Sequence, residues 1–232
     1  MVQRLRRLIP ASATVALAVI ALASTSAFAA FPLRAPQFVF ASLPLQGYLN
    51  VVDVGINCLT DQLDAQTFST SITGNTDFTL MLENGSGIGS NIGVYNGADA
   101  VPALDLIFPA AAVPGWFAAL HFGGGNLTVN TFDQSSVFQG SVTYLGVNQN
   151  DFAFYIQLPA GAIRYGQDFR NPGAQALTYA SNATPGDYWE CFEATNPSGA
   201  SSTFNSVVLN LQSVRPTPAH SSTWGKIKAT YR

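Results

Sequence analysis

Two glutamates near the end of the chain have the best spacing for acid–base chemistry. Glu190 and Glu193 lie in the segment "DYWECFEA", which alternates like a β-strand. Residues three positions apart on a strand point to opposite faces of a sheet. A glycosidase needs two carboxyl groups that flank one glycosidic bond, so this pair does not form such a site by itself. An acid from another strand would have to complete it, and glycan hydrolysis stays an alternative on that condition.

Other catalytic arrangements cannot be assembled from the sequence. The chain has two histidines, His121 and His220, and no G-x-S-x-G motif to carry a serine nucleophile. The segment "HFGGGN" is typical of a glycine-rich hairpin turn rather than of an oxyanion-hole loop. A zinc site needs several Cys or His residues at short spacing, and the chain has only two cysteines. We therefore expect a protein that is not an enzyme and has no obligatory cofactor.

Residues 1–29 predict export. Three arginines precede the apolar stretch "ATVALAVIALA", and "AFAA" provides a cleavage site after Ala29. This is the pattern of a secretory signal peptide. The apolar stretch is shorter than the roughly 20 residues that span a bilayer, so we expect no transmembrane anchor. In an exported chain the two cysteines, Cys58 and Cys191, predict one disulfide.

Charge is distributed unevenly along the chain. Residues 30–214 hold three Lys and Arg residues against 13 Asp and Glu residues, a formal charge of −10. The last 18 residues hold four basic residues and no acid. Binding to nucleic acid needs clustered cations, so we expect no nucleic-acid partner. Apolar residues form 47% of the chain, which is enough to bury a core and argues against a disordered protein.

Short apolar runs separated by turn residues predict the fold. In "DFAFYIQL" the side chains of Phe152, Phe154 and Ile156 share one face, as in a half-buried strand. About ten such runs occur and no long amphipathic helix does, which predicts an all-β domain over residues 30–214. We expect an antiparallel two-sheet sandwich with jelly-roll-like connections, and one short helix after Pro114. The predicted strands are 48–54, 77–83, 91–96, 103–108, 126–132, 141–147, 151–158, 176–180, 187–194 and 204–214.

Ordered motifs in the chain resemble a known family. "GNTDFTLMLENGSGIGSNIGVYN", "DFAFYIQLPAGAIRYGQDFRNPGAQALTYA", "DYWECFEA" and "FNSVVLNLQSV" follow one another. This order is similar to that of a bacterial exported domain-of-unknown-function family, often found in proteins with a PEP-CTERM sorting signal. The resemblance covers residues 48–214. It implies a secreted β-sandwich without established enzymatic activity, associated with the cell surface or the extracellular matrix.

The same resemblance implies a weakened calcium site. Members of the family carry acids at the end of the penultimate strand and in the loop that follows, and carboxylates suit calcium. Glu193 matches the Glu of the family, Asn205 matches its Asn, and Asp168 matches an acidic turn. The other acids are replaced by Ala, Thr and Ser. The resemblance therefore predicts a degenerate site of Glu193, Asn205 and Asp168 that binds calcium weakly at most.

The C-terminal residues form a separate element in the sequence. Two prolines in "RPTPAH", residues 215–220, predict a linker. The basic segment 221–232 resembles the T-W-G-x-I-K-x-x-Y-R endings of other exported bacterial proteins, and the resemblance implies a sorting or attachment signal. It lacks the hydrophobic span of a PEP-CTERM signal, and a frayed terminus is the alternative. The matching residues are Trp224, Gly225, Ile227, Lys228, Tyr231 and Arg232.

Together these features predict a secreted, non-catalytic module with a structural or adhesive role at the cell surface or in extracellular matrix. Its partners would be extracellular polysaccharides, surface proteins or further copies of itself. One alternative is a carbohydrate-binding module, for which Trp116, Trp189 and Tyr165 are candidate stacking residues. The other is a subunit of an exported polymer, in which residues 31–40 would add to the sheet edge of a neighbour.

Overall fold

The computed structural model describes residues 42–70, 77–84, 89–194 and 203–218. Within these ranges the chain forms one α-helix, one 3₁₀ turn and fourteen strands, and the strands pair antiparallel. The all-β prediction is confirmed. The predicted signal peptide (1–29) and the basic tail (221–232) lie outside the described residues.

The elements follow one another in this order. The helix α1 is Ser42–Val52, and the 3₁₀ turn is Asp168–Arg170. The strands are β1 (Gln62–Leu63), β2 (Ala65–Thr70), β3 (Asp77–Asn84), β4 (Asn91–Asn96), β5 (Asp105–Phe108), β6 (Phe117–Gly123), β7 (Asn126–Phe132), β8 (Phe138–Leu145), β9 (Phe152–Gln157), β10 (Ile163–Tyr165), β11 (Ala176–Ala180), β12 (Tyr188–Phe192), β13 (Val207–Gln212) and β14 (Val214–Pro218).

The strands form two sheets. Sheet A has eight strands in the order β1-β11-β12-β13-β3-β6-β7-β8. Sheet B has six strands in the order β14-β2-β9-β4-β5, with β10 also paired to β9. Some neighbours, such as β13 and β3 or β14 and β2, are far apart in the chain. Strands that are distant in the chain therefore lie side by side, a feature that jelly-roll-like folds share.

Apolar side chains from both sheets form the main core. Phe152, Phe154 and Ile156 of β9 are fully buried, as their alternation predicts. The ring of Phe154 lies 5.4 Å from that of Phe68 in sheet B, and the ring of Phe152 lies 5.5 Å from that of Phe122 in sheet A. The core therefore lies between the sheets, which confirms the two-sheet sandwich.

The helix α1 packs on the outer face of sheet A, where the sequence predicted a strand at 48–54. Leu45 and Leu49 are buried in a cluster with Tyr179 of β11 and Trp189 of β12. Residues four apart, such as Leu45 and Leu49, lie on one face of a helix. The helical spacing of apolar residues therefore includes residues before position 48, where the predicted strand began. A seven-residue run is too short to distinguish the helical period from the strand period.

None of the helices in the described part of the chain has the length and hydrophobicity of a membrane span.

The segment after Pro114 is a strand rather than the expected short helix. Leu120 and Phe122 of β6 are buried at a period of two, and β6 pairs with β3 and β7. The turn between β6 and β7 contains Gly124 and Gly125, whose φ angles are 61° and 78°. Positive φ at both central residues suits a two-residue hairpin, so the glycine-rich turn is confirmed.

The predicted linker at 215–220 is in part a strand. β14 pairs antiparallel with β2, and the hydroxyl groups of Thr67 and Thr217 bond across the pair. Pro216 and Pro218 have no N–H to donate, but β14 is an edge strand of sheet B, where proline is tolerated. Two prolines therefore did not indicate a linker in this position, and the folded domain extends through Pro218.

The predicted disulfide is not formed in the structure. Cys58 and Cys191 are not bonded to each other, and both are buried in the apolar cluster between α1 and sheet A. Burial raises the pKa of the Cys191 thiol, and nearby Glu190 and Cys58 raise it further. A protonated, buried thiol packs as a small apolar side chain. The predicted disulfide was wrong because export and the number of cysteines do not indicate how the two thiols pack in the fold.

Candidate functional site

A cleft opens at one side of the sandwich, between the edge strand β5 of sheet B and the edge strand β8 of sheet A. Its volume is about 470 Å³, which lies within the range of small-ligand sites. Leu106, Ile107 and Pro109 form the wall on the side of β5. A second cavity of about 470 Å³ lies beside the β6–β7 turn, but three of its seven lining residues are glycines, and its one aromatic residue, Phe122, is buried in the main core.

Two hydrogen bonds between the sheets hold the walls of the cleft. The hydroxyl of Tyr144 on β8 donates to the carbonyl of Leu106 on β5 at 2.7 Å. The hydroxyl of Thr131 on β7 donates to the carbonyl of Ile107 at 3.3 Å. Both bonds connect a side chain of sheet A to the backbone of sheet B. The cleft is therefore a preformed groove, as ligand sites usually are.

An indole and several polar side chains line the cleft. Trp116 is half-buried and packs against the main core. Gln139 and Ser141 are exposed on β8, and Gln139 is oriented by a hydrogen bond of 2.8 Å from its amide nitrogen to Asp133. An aromatic face stacks on apolar ligand surface, while amide and hydroxyl groups bond to ligand hydroxyls. This combination suits a sugar.

Tyr144 is the titratable group in the described lining. Burial raises its pKa and so does nearby Asp105, whereas the hydrogen bond to Leu106 lowers it. Asp105 precedes Leu106 on β5, and burial also raises the pKa of its carboxyl group. The hydroxyl of Tyr144 is therefore neutral, and its O–H group already donates a hydrogen bond to the carbonyl of Leu106. The cleft offers stacking and hydrogen bonding rather than a pair of acid–base groups.

Of the three candidate stacking residues, Trp116 is the one in the cleft. Trp189 is only 5% exposed, and its indole N–H donates to Asp53 at 2.8 Å. Tyr165 is half-buried, and the guanidinium of Arg170 lies 5.8 Å from the centre of its ring. Trp189 and Tyr165 therefore have structural roles.

Asp53 is a buried carboxylate that no sequence motif indicated. It follows α1 and accepts hydrogen bonds from the backbone N–H groups of Asn182 and Ala183 at 3.0 Å and from Trp189 at 2.8 Å. Burial alone would raise its pKa, but these bonds and one from the Ser181 side chain lower it below the usual value. Asp53 therefore joins α1 to the turn between β11 and β12.

Glu193 anchors the loop that follows β12. Its side chain is fully buried. One carboxylate oxygen accepts hydrogen bonds from the backbone N–H groups of Thr203 and Phe204, at 2.5 and 3.2 Å. These bonds connect the two ends of the loop in which Ala, Thr and Ser replace the acids of the resembling family. The carboxylate thus has a structural task that does not depend on a metal ion.

The other members of the predicted calcium site lie in different settings. Asp168 begins the 3₁₀ turn and exchanges two hydrogen bonds with Gln66, at 2.8 and 3.0 Å. Asn205 is half-buried next to Phe204. Among the described residues, no three His, Cys, Asp or Glu side chains form a group that would hold a metal ion. Weak calcium binding by Glu193, Asn205 and Asp168 stays a prediction.

Glu190, the other candidate for acid–base chemistry, is fully buried within the fold. The hydroxyl of Thr178 donates to its carboxylate at 2.6 Å. A Cβ atom at Gly166 would lie 3.1 Å from the other carboxylate oxygen, so glycine at this position leaves room for the acid. Glu190 supports the pairing of β11 with β12, and Glu193 holds a loop, so the two glutamates occupy separate structural positions.

No protein-family model, curated protein or solved structure matches the chain. The resemblance to an exported bacterial family and the sorting role of the tail therefore stay predictions. The chemistry of the cleft rests on its own geometry.

Proposed function

We propose that this protein is a secreted, non-catalytic module of the cell surface or extracellular matrix, and that it holds an uncharged polysaccharide in the cleft between β5 and β8. The observation that carries the proposal is the half-buried indole of Trp116 beside hydroxyl and amide groups in a preformed groove. Sugar rings present apolar C–H faces and hydroxyl groups, and this lining offers a partner to each.

The charge of the domain supports a neutral ligand. Residues 30–214 carry a formal charge of −10, and the described lining of the cleft contains no Lys or Arg. An acidic polysaccharide would be repelled by this field. A neutral polysaccharide loses nothing by approaching it. The extracellular location of the module is supported by the signal-peptide pattern of residues 1–29.

The lining also supports binding without cleavage. Its described residues include no Asp, Glu, His or Cys, the side chains that most often transfer protons or attack a substrate. We therefore expect the protein to retain polysaccharide without shortening it. The measurement is the release of reducing ends during prolonged incubation with each bound glycan. Release that disappears in Trp116→Ala would favour a hydrolase instead.

Two of the three tryptophans of the chain allow a matched test of the proposal. A glycan array with the mature protein selects the ligand, and calorimetry then measures its affinity. We expect Trp116→Ala to weaken binding about tenfold or more, because a lost stacking contact and its buried area together cost about 1.4 kcal/mol or more. Trp224→Ala, which removes the indole of the C-terminal tail, is the control and should keep the affinity of the wild type.

Two outcomes would contradict the proposal. One is an array on which the wild-type protein retains no neutral glycan. The other is an equal loss of affinity in Trp116→Ala and Trp224→Ala, which would place binding outside the cleft. Melting temperatures of the two variants, measured beside the wild type, show whether each variant is folded.

A further inference from the structure

The strand β8 (Phe138–Leu145) forms one edge of sheet A. It is eight residues long, and among the described strands it pairs only with β7. Six of its eight residues are exposed, and Gly140 and Tyr144 are half-buried. The outer edge of such a strand presents backbone N–H and C=O groups that can pair with a further strand.

The other edge strands are protected against such pairing. β1 has only two residues, and β10 has three and contains Arg164. β14 contains Pro216 and Pro218 together with the charged Arg215, and β5 has four residues and begins with Asp105. Short strands, prolines and charged residues are the devices by which proteins prevent edge-to-edge association. β8 is long and contains neither a proline nor a charged residue.

The absence of charge extends beyond β8 itself. Residues 134–150 form a stretch of 17 residues without a single Asp, Glu, Lys, Arg or His. This stretch lies in a domain with a formal charge of −10 over residues 30–214. Two copies of so acidic a domain repel each other at most approaches. At β8 they can meet with one carboxylate nearby on each copy, that of Asp133, which accepts a hydrogen bond from Gln139.

Exposed apolar side chains are concentrated at the same edge. Four of the nine large exposed apolar residues in the described part of the chain lie between residues 137 and 145. Leu145 is 81% exposed and Phe138 is 55% exposed. The ring of Phe138 packs 5.6 Å from that of Phe132, which stacks at 4.8 Å on Phe117. An apolar surface of this kind marks an interaction site in a soluble protein.

We propose that β8 pairs antiparallel with β8 of a second copy of this protein, so that the two A sheets join edge to edge. A two-fold axis sets the same surface against itself, and an uncharged, partly apolar edge is complementary to its own copy. A charged foreign segment would find no opposite charge in residues 134–150. The pairing does not depend on what the cleft binds, although it would place the clefts of both copies next to the dimer interface.

Sedimentation of the mature full chain tests the pairing. The wild type should pass from monomer to dimer as its concentration rises, and the amides of β8 should gain protection from hydrogen exchange in the dimer. The variant Thr143→Lys/Leu145→Lys puts two like charges on each edge strand and leaves the lining of the cleft unchanged. We expect its dimerisation to be weaker by about tenfold or more, because like charges juxtaposed across an interface are costly.

A lysine placed elsewhere on the surface separates the edge from the overall field. Val54→Lys replaces an exposed apolar residue beyond α1, at the far end of sheet A, and should dimerise like the wild type. Every one of these lysines lowers the net negative charge. The general repulsion between copies therefore becomes weaker, which by itself would favour tighter association. Weaker association in the double variant alone therefore reports on β8.

Three results would overturn the proposal. A wild type that stays monomeric at the highest concentration reached would do so. So would a dimer that the double variant forms with unchanged affinity. The third is a dimer that is lost on deletion of residues 31–40, which would identify that segment as the occupant of the edge. Circular dichroism melting of every variant establishes that the monomers compared are folded.

Discussion

Replacement of the buried Asp53 by alanine is expected to destabilise the domain more than the loss of an exposed acid does. The side chain of Asp53 is 1% exposed and accepts hydrogen bonds from Trp189, Asn182 and Ala183. In Asp53→Ala these donors keep their burial but lose their acceptor. A buried donor without a partner is costly because folding then removes it from water without compensation.

The magnitude follows from the burial of each donor. Trp189 is 5% exposed, so leaving its indole N–H without an acceptor lowers the free energy of unfolding by about 1–3 kcal/mol. The N–H groups of Asn182 and Ala183 are partly buried, and water replaces part of their loss. We expect a decrease of about 3 kcal/mol in the free energy of unfolding. In a domain of this size that corresponds to a fall of roughly 6–12 °C in melting temperature.

The effect is expected to depend on pH. The pKa of Asp53 is lowered in the folded protein from the usual 3.8. The ionised carboxylate therefore stabilises the fold above that value, and the stabilisation is lost as pH falls through the folded pKa. Urea unfolding, followed by tryptophan fluorescence, should show the full difference between wild type and Asp53→Ala at pH 7. The difference should shrink at about pH 3.

Two further variants make the test sharp. Asp61→Ala removes an exposed carboxylate that accepts a hydrogen bond from Asn57, and it should change stability by no more than about 0.5 kcal/mol. Trp189→Phe removes the indole donor and keeps a ring. The combination of Asp53→Ala with Trp189→Phe should cost less than the sum of the two single changes. Strict additivity, or a stability of Asp53→Ala close to that of the wild type, would refute the reasoning.

Gly93→Ala should destabilise sheet B by about 3 kcal/mol or more, because a Cβ atom there would lie 2.1 Å from the carbonyl oxygen of Asp105; thermal melting checks this against Gly47→Ala, where a Cβ meets no atom within 4 Å. Asp105→Asn should raise the melting temperature at pH 7 and leave it unchanged at about pH 3. Burial raises the pKa of Asp105, so its ionised form costs stability above the usual value. Millimolar calcium should raise the melting temperature by a few degrees at most, since Glu193 already accepts a hydrogen bond from Thr203; a shift above about ten degrees that Glu193→Ala abolishes would argue for a stronger site.

The class of the fold could be predicted from the sequence because local patterns carry it. The alternation of Phe152, Phe154 and Ile156 states which side of β9 is buried, and the structure buries all three between the sheets. Gly124 and Gly125 predict a hairpin turn because their φ angles must be positive. Each of these signals is complete within a few consecutive residues.

Local patterns failed where the partner of a segment decides its conformation. Residues 48–52 resemble a strand in isolation, yet they belong to α1 because Leu45 and Leu49 bury the same face against sheet A. Pro216 and Pro218 indicate a linker, yet they form a strand because β14 lies at an edge that needs no donor on one side. Cys58 and Cys191 do share one cluster, as a disulfide would require, but they pack there as thiols.

By itself the sequence determined the composition of the core, the positions of most strands and turns, and the acidic character of the domain. These properties depend on the order of residues along the chain. Tertiary structure alone decided that Leu106 and Tyr144 are in contact across the cleft, that Asp53 meets the N–H of Trp189, and that β8 is an edge. Such contacts join residues that are 38 and 136 positions apart, and their distance in space is set by how two whole sheets pack.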